Sequence, residues 1–369
     1  RQWLSTIGVD LLGFSLLYML ASGATFNFAA LLVLPVLMAG VLTALMLGER
    51  GIGCAVFEAN RIGGGQTKGT TAKITSQHGL CYAKLTAHSG EAAARVYAEA
   101  AEGALRHYRE IVAARGIECE LEDANAYVFG IDNAETLRRE AEAAAACGLP
   151  ASFVERLELP FPVAGAVCFQ HQAQFHPLKF LAAAAEGLTI YEQSPVLRVG
   201  THTLSVNGHT VRAGHIVFAT HFPFVNFPGL YFIRMEQSRS YTIALRDAAR
   251  PDGMYVDARE EGLSLRAYRD LVLLCDADHR TGENQSGGRY GALRRVGRTL
   301  FPGSREAARW SAQDCMTPDG LPYIGRYAAN RPAWYVATGF NKWGMSGAMS
   351  AAELISANIA GERHPAEAL

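Results

Sequence analysis

Between Asp10 and Glu49 the chain carries no Asp, Glu, Lys or Arg, and an uncharged stretch of that length belongs in a membrane or in a protein core. Its apolar character is broken by Gly13, Ser15, Ser22, Gly23, Thr25 and Asn27 in the front half and by Pro35 in the back half. A membrane-spanning helix needs about 20 consecutive, predominantly apolar residues, and Ala29–Leu47 comes close. Two readings of residues 11–48 therefore stay open. One is a membrane anchor; the other is a buried parallel strand running into a buried helix, because parallel strands covered on both faces also read as continuous apolar runs. A secretory leader fits poorly, since the stretch is too long and has no basic leader beyond Arg1. Residues 1–28 receive no assignment.

The segments from Leu31 to Glu58 favour an α/β fold. Leu31–Leu34 is a short apolar run, Met38–Arg50 is helix-like, and Cys54–Phe57 is a second β-rich run ending in the acid Glu58. Strand, helix, strand and acid make a βαβ unit. A dinucleotide site of that type needs glycines between strand and helix, so that backbone N–H groups reach the pyrophosphate, and an acid after the second strand for the ribose hydroxyls. Gly40 and Glu58 fit the third glycine and the acid. Pro35 and Leu37 occupy the first two glycine positions; proline has no N–H to donate, and the leucine side chain fills phosphate space.

Arg61–Thr71 is a Gly- and Thr-rich loop, and Glu91–Arg115 has helical Ala, Glu and Arg periodicity. Tyr127–Ile131 is predicted as a strand, Ala134–Cys147 as a helix closed by Gly148, Leu159–Val163 as an extended segment, and a helix starts at Pro177. Short β runs come next at Thr189–Tyr191, Val196–Val199, Thr203–Val206, His209–Arg212 and Ala213–Thr220. Tyr241–Leu245, Gly253–Val256, Leu263–Tyr268 and Leu271–Cys275 alternate as antiparallel strands do. Trp334–Thr338 is a last strand, and the glycine-rich turn 339–347 opens a helix over Ala348–Ile359. The expected architecture is a Rossmann-like nucleotide-binding domain (29–85, 165–221 and 310–361) with a second, mostly antiparallel β-sheet domain (86–164 and 222–309).

The 369 residues are 49% apolar, enough for two cores, and the formal net charge of -1 supplies no basic field for a nucleic acid. Seven scattered cysteines without a CxxC pair exclude an iron–sulfur or zinc motif and read as reduced thiols of a cytoplasmic protein.

Six segments carry a more specific signal: EANRIGGGQTKGTTAKITSQHGL (58–80), QAQFHPLKFL (172–181), VFATHFPF (217–224), HRTGEN (279–284), WSAQDCMTPDGLPYIGR (310–326) and YVATGFNKWGMSGAMSA (335–351). In order and spacing, over residues 31–361, the chain resembles the glycine/D-amino-acid oxidase (deaminating) family. It is most similar to a branch in which the FAD oxidoreductase domain is often followed by a Rieske domain. The sequence ends at Leu369 with no Rieske motif, so a separate electron acceptor is expected.

The resemblance implies FAD as cofactor and an amine or amino acid as substrate, oxidised at a C–N bond by hydride transfer to the flavin. It implies that Glu58 binds the adenosine ribose, with Arg61 beside the adenine or pyrophosphate; a solvated surface cation is the other reading of Arg61. Gly63, Gly64, Gly65, Thr70 and Thr71 would form the loop passing the pyrophosphate and flavin. The backbone of Val196 would contact adenine, and Thr220 would approach the pyrophosphate. Gly339, Phe340, Asn341, Lys342, Trp343, Gly344 and Met345 would set a helix N-terminus against the flavin's pyrimidine edge, where positive charge favours the reduced, anionic ring. Lys342 either supplies that charge or is an exposed turn lysine. His78 would come near the flavin, and Arg239, Tyr241, Arg266 and Arg280 would lie in the covering domain, where an arginine can clamp a carboxylate. Each of these cations reads equally as a structural ion-pair partner. Asp314 and Asp319 read as loop-fixing groups. The substitutions at Pro35 and Leu37 keep a second possibility open: a relative that binds FAD weakly and does not catalyse.

Overall fold

The computed structural model describes residues 27–33, 38–259, 262–283 and 287–369, the first segment by its backbone. In chain order the elements are β1 (Asn27–Val33), α1 (Met38–Glu49), β2 (Cys54–Phe57), β3 (Lys73–Ile74), α2 (Tyr82–Arg115), β4 (Glu122–Gly130), α3 (Ala134–Ala146), β5 (Ala151–Val154), β6 (Gly165–Gln174) and α4 (Pro177–Ala184). Then come β7 (Thr189–Tyr191), β8 (Val196–Val199), β9 (Thr203–Val206), β10 (His209–His221), β11 (Glu236–Arg246), β12 (Met254–Asp257), β13 (Ser264–Tyr268), β14 (Leu271–Arg280), α5 (Arg289–Leu300), β15 (Arg305–Met316), β16 (Tyr323–Arg326), β17 (Trp334–Thr338) and α6 (Gly344–Ala360).

The first sheet runs β16-β17-β10-β1-β2-β7 and is parallel from β17 to β7. The chain leaves β1 for β2 on one side while β10 lies on the other, so the strand order reverses at β1, and open α/β sheets bind ligands in the crevice at the carboxyl edge of such a switch point. Helix α1 is buried from Met38 to Leu47 and packs against α6. A helix that is apolar all round belongs in a core, so this part of the uncharged stretch is the layer between helix and sheet. Among the described residues no helix is long and apolar enough to cross a membrane. Pro35 and Leu37, with residues 1–26, lie outside the described residues.

The second sheet runs β15-β11-β14-β13-β12-β4-β6-β3, with β5 added to β6, and is antiparallel except where β12 meets β4. It recruits β3, β6 and the whole of β15, whose residues fall wholly or partly in ranges expected to serve the nucleotide domain. Two runs expected as separate strands, His209–Arg212 and Ala213–Thr220, are one strand. Its first half pairs with β9 and its second half with β1 and β17. Helix α2 starts at Tyr82, earlier than its periodicity indicates, because Gly90 adopts φ 84 and carries the chain through a break that a side chain would resist.

Helix α2 clamps the start of α6. The Tyr108 hydroxyl donates to the Met345 carbonyl at 3.0 Å, Ser350 Oγ donates to the Ala100 carbonyl at 3.2 Å, and His107 bonds Glu353. His78 completes the clamp. Its Nε2 lies 2.8 Å from both the Thr75 carbonyl and Ser346 Oγ, its Nδ1 accepts from the Tyr97 hydroxyl at 2.6 Å, and its ring stacks on Trp343. A carbonyl can only accept, so Nε2 carries the proton and the ring is neutral. Burial holds the imidazole down at about 4.

Two outcomes are expected from this packing. Leu42, fully buried in α1, should cost about 3 kcal/mol of unfolding free energy when cut to alanine, measured by denaturant titration. The unfolded chain also takes up a proton at His78 that the folded chain refuses. The stability tied to that ring is whole above its ordinary value of 6.5 and is lost as pH falls toward 4, by up to about 3 kcal/mol. His78→Asn should flatten the fall of the denaturation midpoint over that window; an unaltered pH profile would refute the assignment.

Candidate active site

The register aligns the strand ends that face the crevice. Val33 of β1 pairs with Phe218, Leu32 pairs with Val56, and His221 pairs with Thr338. Glu58, Thr220 and Gly339 therefore stand together at the carboxyl edge of the first sheet. Glu58 is buried, and its Oε1 accepts from the Asn60 N–H at 2.7 Å. Its carbonyl takes the Ser194 N–H at 2.8 Å, which brings the start of β8 and Val196 to the same end. Gly40 lies buried in the first turn of α1.

From Glu58 the chain turns back along the crevice. The Ile62 N–H donates to Glu192 at 2.8 Å, and Gly63 takes φ 71 with Leu178 and Leu181 so near that a Cβ would touch both. Arg61 is exposed. The backbone of Gly65 faces open space, since a Cβ there would meet nothing within 4 Å. Trp310 Nε1 donates to the Gly69 carbonyl at 2.9 Å. Between this loop and the second sheet is a cavity of about 390 Å³ lined by Gly64, Gly65, Lys68, Gly69 and Trp310.

Thr71 is pinned from the second sheet. Arg266, buried, directs its guanidinium to the carbonyls of Thr71, Ala267 and Phe175. Lys73 Nζ lies 3.2 Å from Thr71 Oγ1 and 2.6 Å from Ser264 Oγ, and burial lowers its ammonium to about 8. Arg266 is thus a support for the loop.

The turn after β17 is held from the same side. Asn341, at φ 52, donates its backbone N–H to the Cys315 carbonyl at 3.0 Å; its Oδ1 accepts from the Thr317 N–H at 2.9 Å, and its Nδ2 donates to the Gly320 carbonyl at 2.8 Å. Asp319 caps the Leu321 N–H, the loop-fixing role expected of it. Helix α6 then starts at Gly344 with no side-chain cap, and a Cβ at Gly344 would meet nothing within 4 Å. Its first N–H groups carry the positive end of the helix dipole.

Which face of the second sheet meets these loops is fixed by the pairing of β11. Ser238 lies opposite Asp314 of β15, and Ser240 opposite Ala312; Ala312 contacts Gly69, so this face looks at the cofactor side. Arg239 and Tyr241 alternate to the other face. Tyr241 packs there against His279 and Tyr290 of α5, and Arg239 bonds Gln313 at 2.7 Å. Arg239 and Tyr241, expected among the catalytic residues of the covering domain, lie on the far face because Ser238 and Ser240, with which they alternate, take the loop-facing positions. Arg280 is tied to Glu236 and Glu283.

The loop-facing side holds two acids. Between the pairs Arg239–His279 and Tyr241–Asp276, one residue of β11, Ser240, opposes two of β14, Ala277 and Asp278. This is a β-bulge, with Ala277 at φ 63. It turns Asp278 inward, where Oδ2 meets Lys342 Nζ, while Oδ1 is buried without a hydrogen-bond partner among the described residues. Across the serines stands Asp314, whose carboxyl burial pushes up to about 7, against the pull of Lys342 and with that of Asp278. A further buried atom without a partner, His221 Nε2, lies at the end of β10, and burial holds that imidazole near 4. Sequence reasoning missed Asp278 and assigned Asp314 to a turn. The one sequence sign was an Asp-Ala-Asp-His run ending an apolar strand.

Known proteins share this fold. The FAD dependent oxidoreductase (DAO) family model matches residues 38–358. YhfW of Bacillus subtilis (strain 168), which carries the name Rieske 2Fe-2S iron-sulfur protein, is 32% identical over 347 residues, covering 89% of this chain and 68% of its own. Among solved structures, glycine oxidase from Geobacillus kaustophilus superposes with a TM-score of 0.77 at 18% identity, over 92% of this chain and 96% of that one. L-proline dehydrogenase from P. horikoshii does so with a TM-score of 0.74 at 17% identity, over 92% and 95%. The strand order, the crevice and these matches agree, and the chain belongs to the FAD dependent oxidoreductase family.

Proposed function

We propose that this oxidoreductase removes two electrons from a C–N bond of a small amine or amino acid and passes them to FAD. One observation supports the reading: strand register sets Glu58, Thr220 and Gly339 along one carboxyl edge of the first sheet, and Ala312 of the second sheet lies against Gly69 of the 61–71 loop. The names of glycine oxidase and L-proline dehydrogenase, both similar in fold, point to the same bond.

The residues present fit the cofactor. The open space at Gly65 and Gly344 lets a ligand approach the backbone closely, and the uncapped α6 terminus and Lys342 suit an anionic group. Glu58 would take the ribose hydroxyls, with Arg61 and the Val196 backbone near the adenine end. Gly65, Thr70, Thr71 and Thr220 would line the middle of the dinucleotide. Gly339, Asn341, Trp343, Gly344 and Met345 would shape the flavin end, and Lys342 would stand at its edge. The bound flavin supplies the two-electron acceptor: the substrate's α C–H bond breaks with its electron pair, and a nitrogen proton leaves, giving the imine. His78 would act by fixing Ser346 and Trp343. Arg266 would act by fixing Thr71.

Two measurements test this. Purified protein titrated with FAD should acquire flavin absorbance, and Glu58→Ala should weaken binding by about 10- to 100-fold, the range of a lost hydrogen bond to a charged group; protein that takes up no FAD would favour the non-catalytic relative. Mixed anaerobically with small amines and amino acids, the holoprotein should lose its yellow absorbance with at least one of them. Flavin that stays oxidised with all of them would refute the C–N assignment.

A further inference from the structure

The cations around the covered face have partners already. Arg266 is enclosed by carbonyls, Arg239 faces away, Arg280 is held by two glutamates, and Lys342 is paired with Asp278. The face itself is a trough. Ser238 and Ser240, two small side chains of the middle strand, lie on its floor, and Asp278 and Asp314 rise from the strands on either side, offset by two residues along the strands. One lysine answers two acids.

Asp278 is 6% exposed, and its Oδ1 has no hydrogen-bond partner among the described residues. A buried carboxylate oxygen left unpaired is costly, so it marks a place where a donor is missing. The backbone at the same point is strained. Ala277 sits in the left-handed region at φ 63, which a Cβ disfavours, and the bulge it makes sets it and Asp278 together opposite Ser240 at the trough floor. Strain held in place to orient one buried, half-satisfied acid points to a ligand that satisfies it.

We propose that the substrate is a cationic amine lacking a carboxylate, with its ammonium group seated in the trough between Asp278 and Asp314. This rests on the C–N reading above and narrows it. A carboxylate entering the trough would meet two acids and a lysine already paired, whereas an ammonium supplies the donor that Asp278 Oδ1 lacks and balances the second acid. Asp314, raised toward neutrality by burial, can take one proton from the bound ammonium and leave the neutral nitrogen that oxidation requires. The α-hydrogen then leaves with its electron pair to the flavin, and the product is the protonated imine.

The test uses the FAD-loaded wild-type protein, mixed anaerobically with butylamine, 1,4-diaminobutane, 4-aminobutanoate, glycine and L-proline while flavin bleaching is followed. Butylamine or 1,4-diaminobutane should reduce the flavin at least about tenfold more efficiently than any carboxylated compound, a margin of about 1.4 kcal/mol. Faster reduction by glycine, L-proline or 4-aminobutanoate overturns the proposal and leaves the C–N assignment standing; no reduction by any compound overturns both. Asp314→Arg, checked for FAD content and melting temperature, should reverse the preference between butylamine and 4-aminobutanoate. Retention of the wild-type preference in a folded, FAD-loaded Asp314→Arg protein would also overturn the proposal.

Discussion

The turn after β17 is fastened to the end of β15 by both halves of one side-chain amide, together with its own backbone N–H. Asn341 accepts from Thr317 and donates to Gly320 and Cys315, and so joins the nucleotide-side sheet to the covering sheet at the residue before Lys342. Each such bond contributes about 1 kcal/mol net. Their larger effect is geometric, because they set the lysine, the start of α6 and the β15 acid in one fixed relation. Asparagine suits the position twice: it tolerates the left-handed backbone found there, and its amide carries an N–H donor and a carbonyl acceptor on separate atoms.

Behind that seam the structure is an apolar sandwich. α1 and α6 pack on each other, and both start at the crevice. The price of two helix starts aimed at an open edge is a set of N–H groups without intrahelical partners. At α6 no side chain satisfies them, which leaves their positive character for an anionic ligand. The neighbouring helix α2 holds the terminus in place through Tyr108 and through His78, itself held by Tyr97, so that the first turn of α6 is rigid where it has to be exposed.

The covering sheet has an electrostatic character that its topology does not demand. Neutral serines form the floor of the face that looks at the cofactor loop, and acids flank it. The arginines of the same strands are turned away, enclosed by carbonyls or tied to glutamates. One bulge in β14 sets both Ala277 and Asp278 opposite Ser240 on that face.

Local signals settled much of this protein in advance. The charge-free run left a membrane anchor and a buried strand and helix as alternatives, and the order strand, helix, strand and acid ending at Glu58 indicated a βαβ unit, because hydrophobic period is a property of adjacent residues. Choices between distant residues were not legible. The periodicity of β11 could not say which of its faces α5 would cover, so Arg239 and Tyr241 were placed on the wrong side. Nothing local to Asp278 or Asp314 announced that a bulge and a serine pair would bring them to opposite walls of one trough. Period and punctuation fixed the elements; only the packing of one sheet against the loops of another decided which charges face the site, because strand register and face are settled by partners far away in the chain.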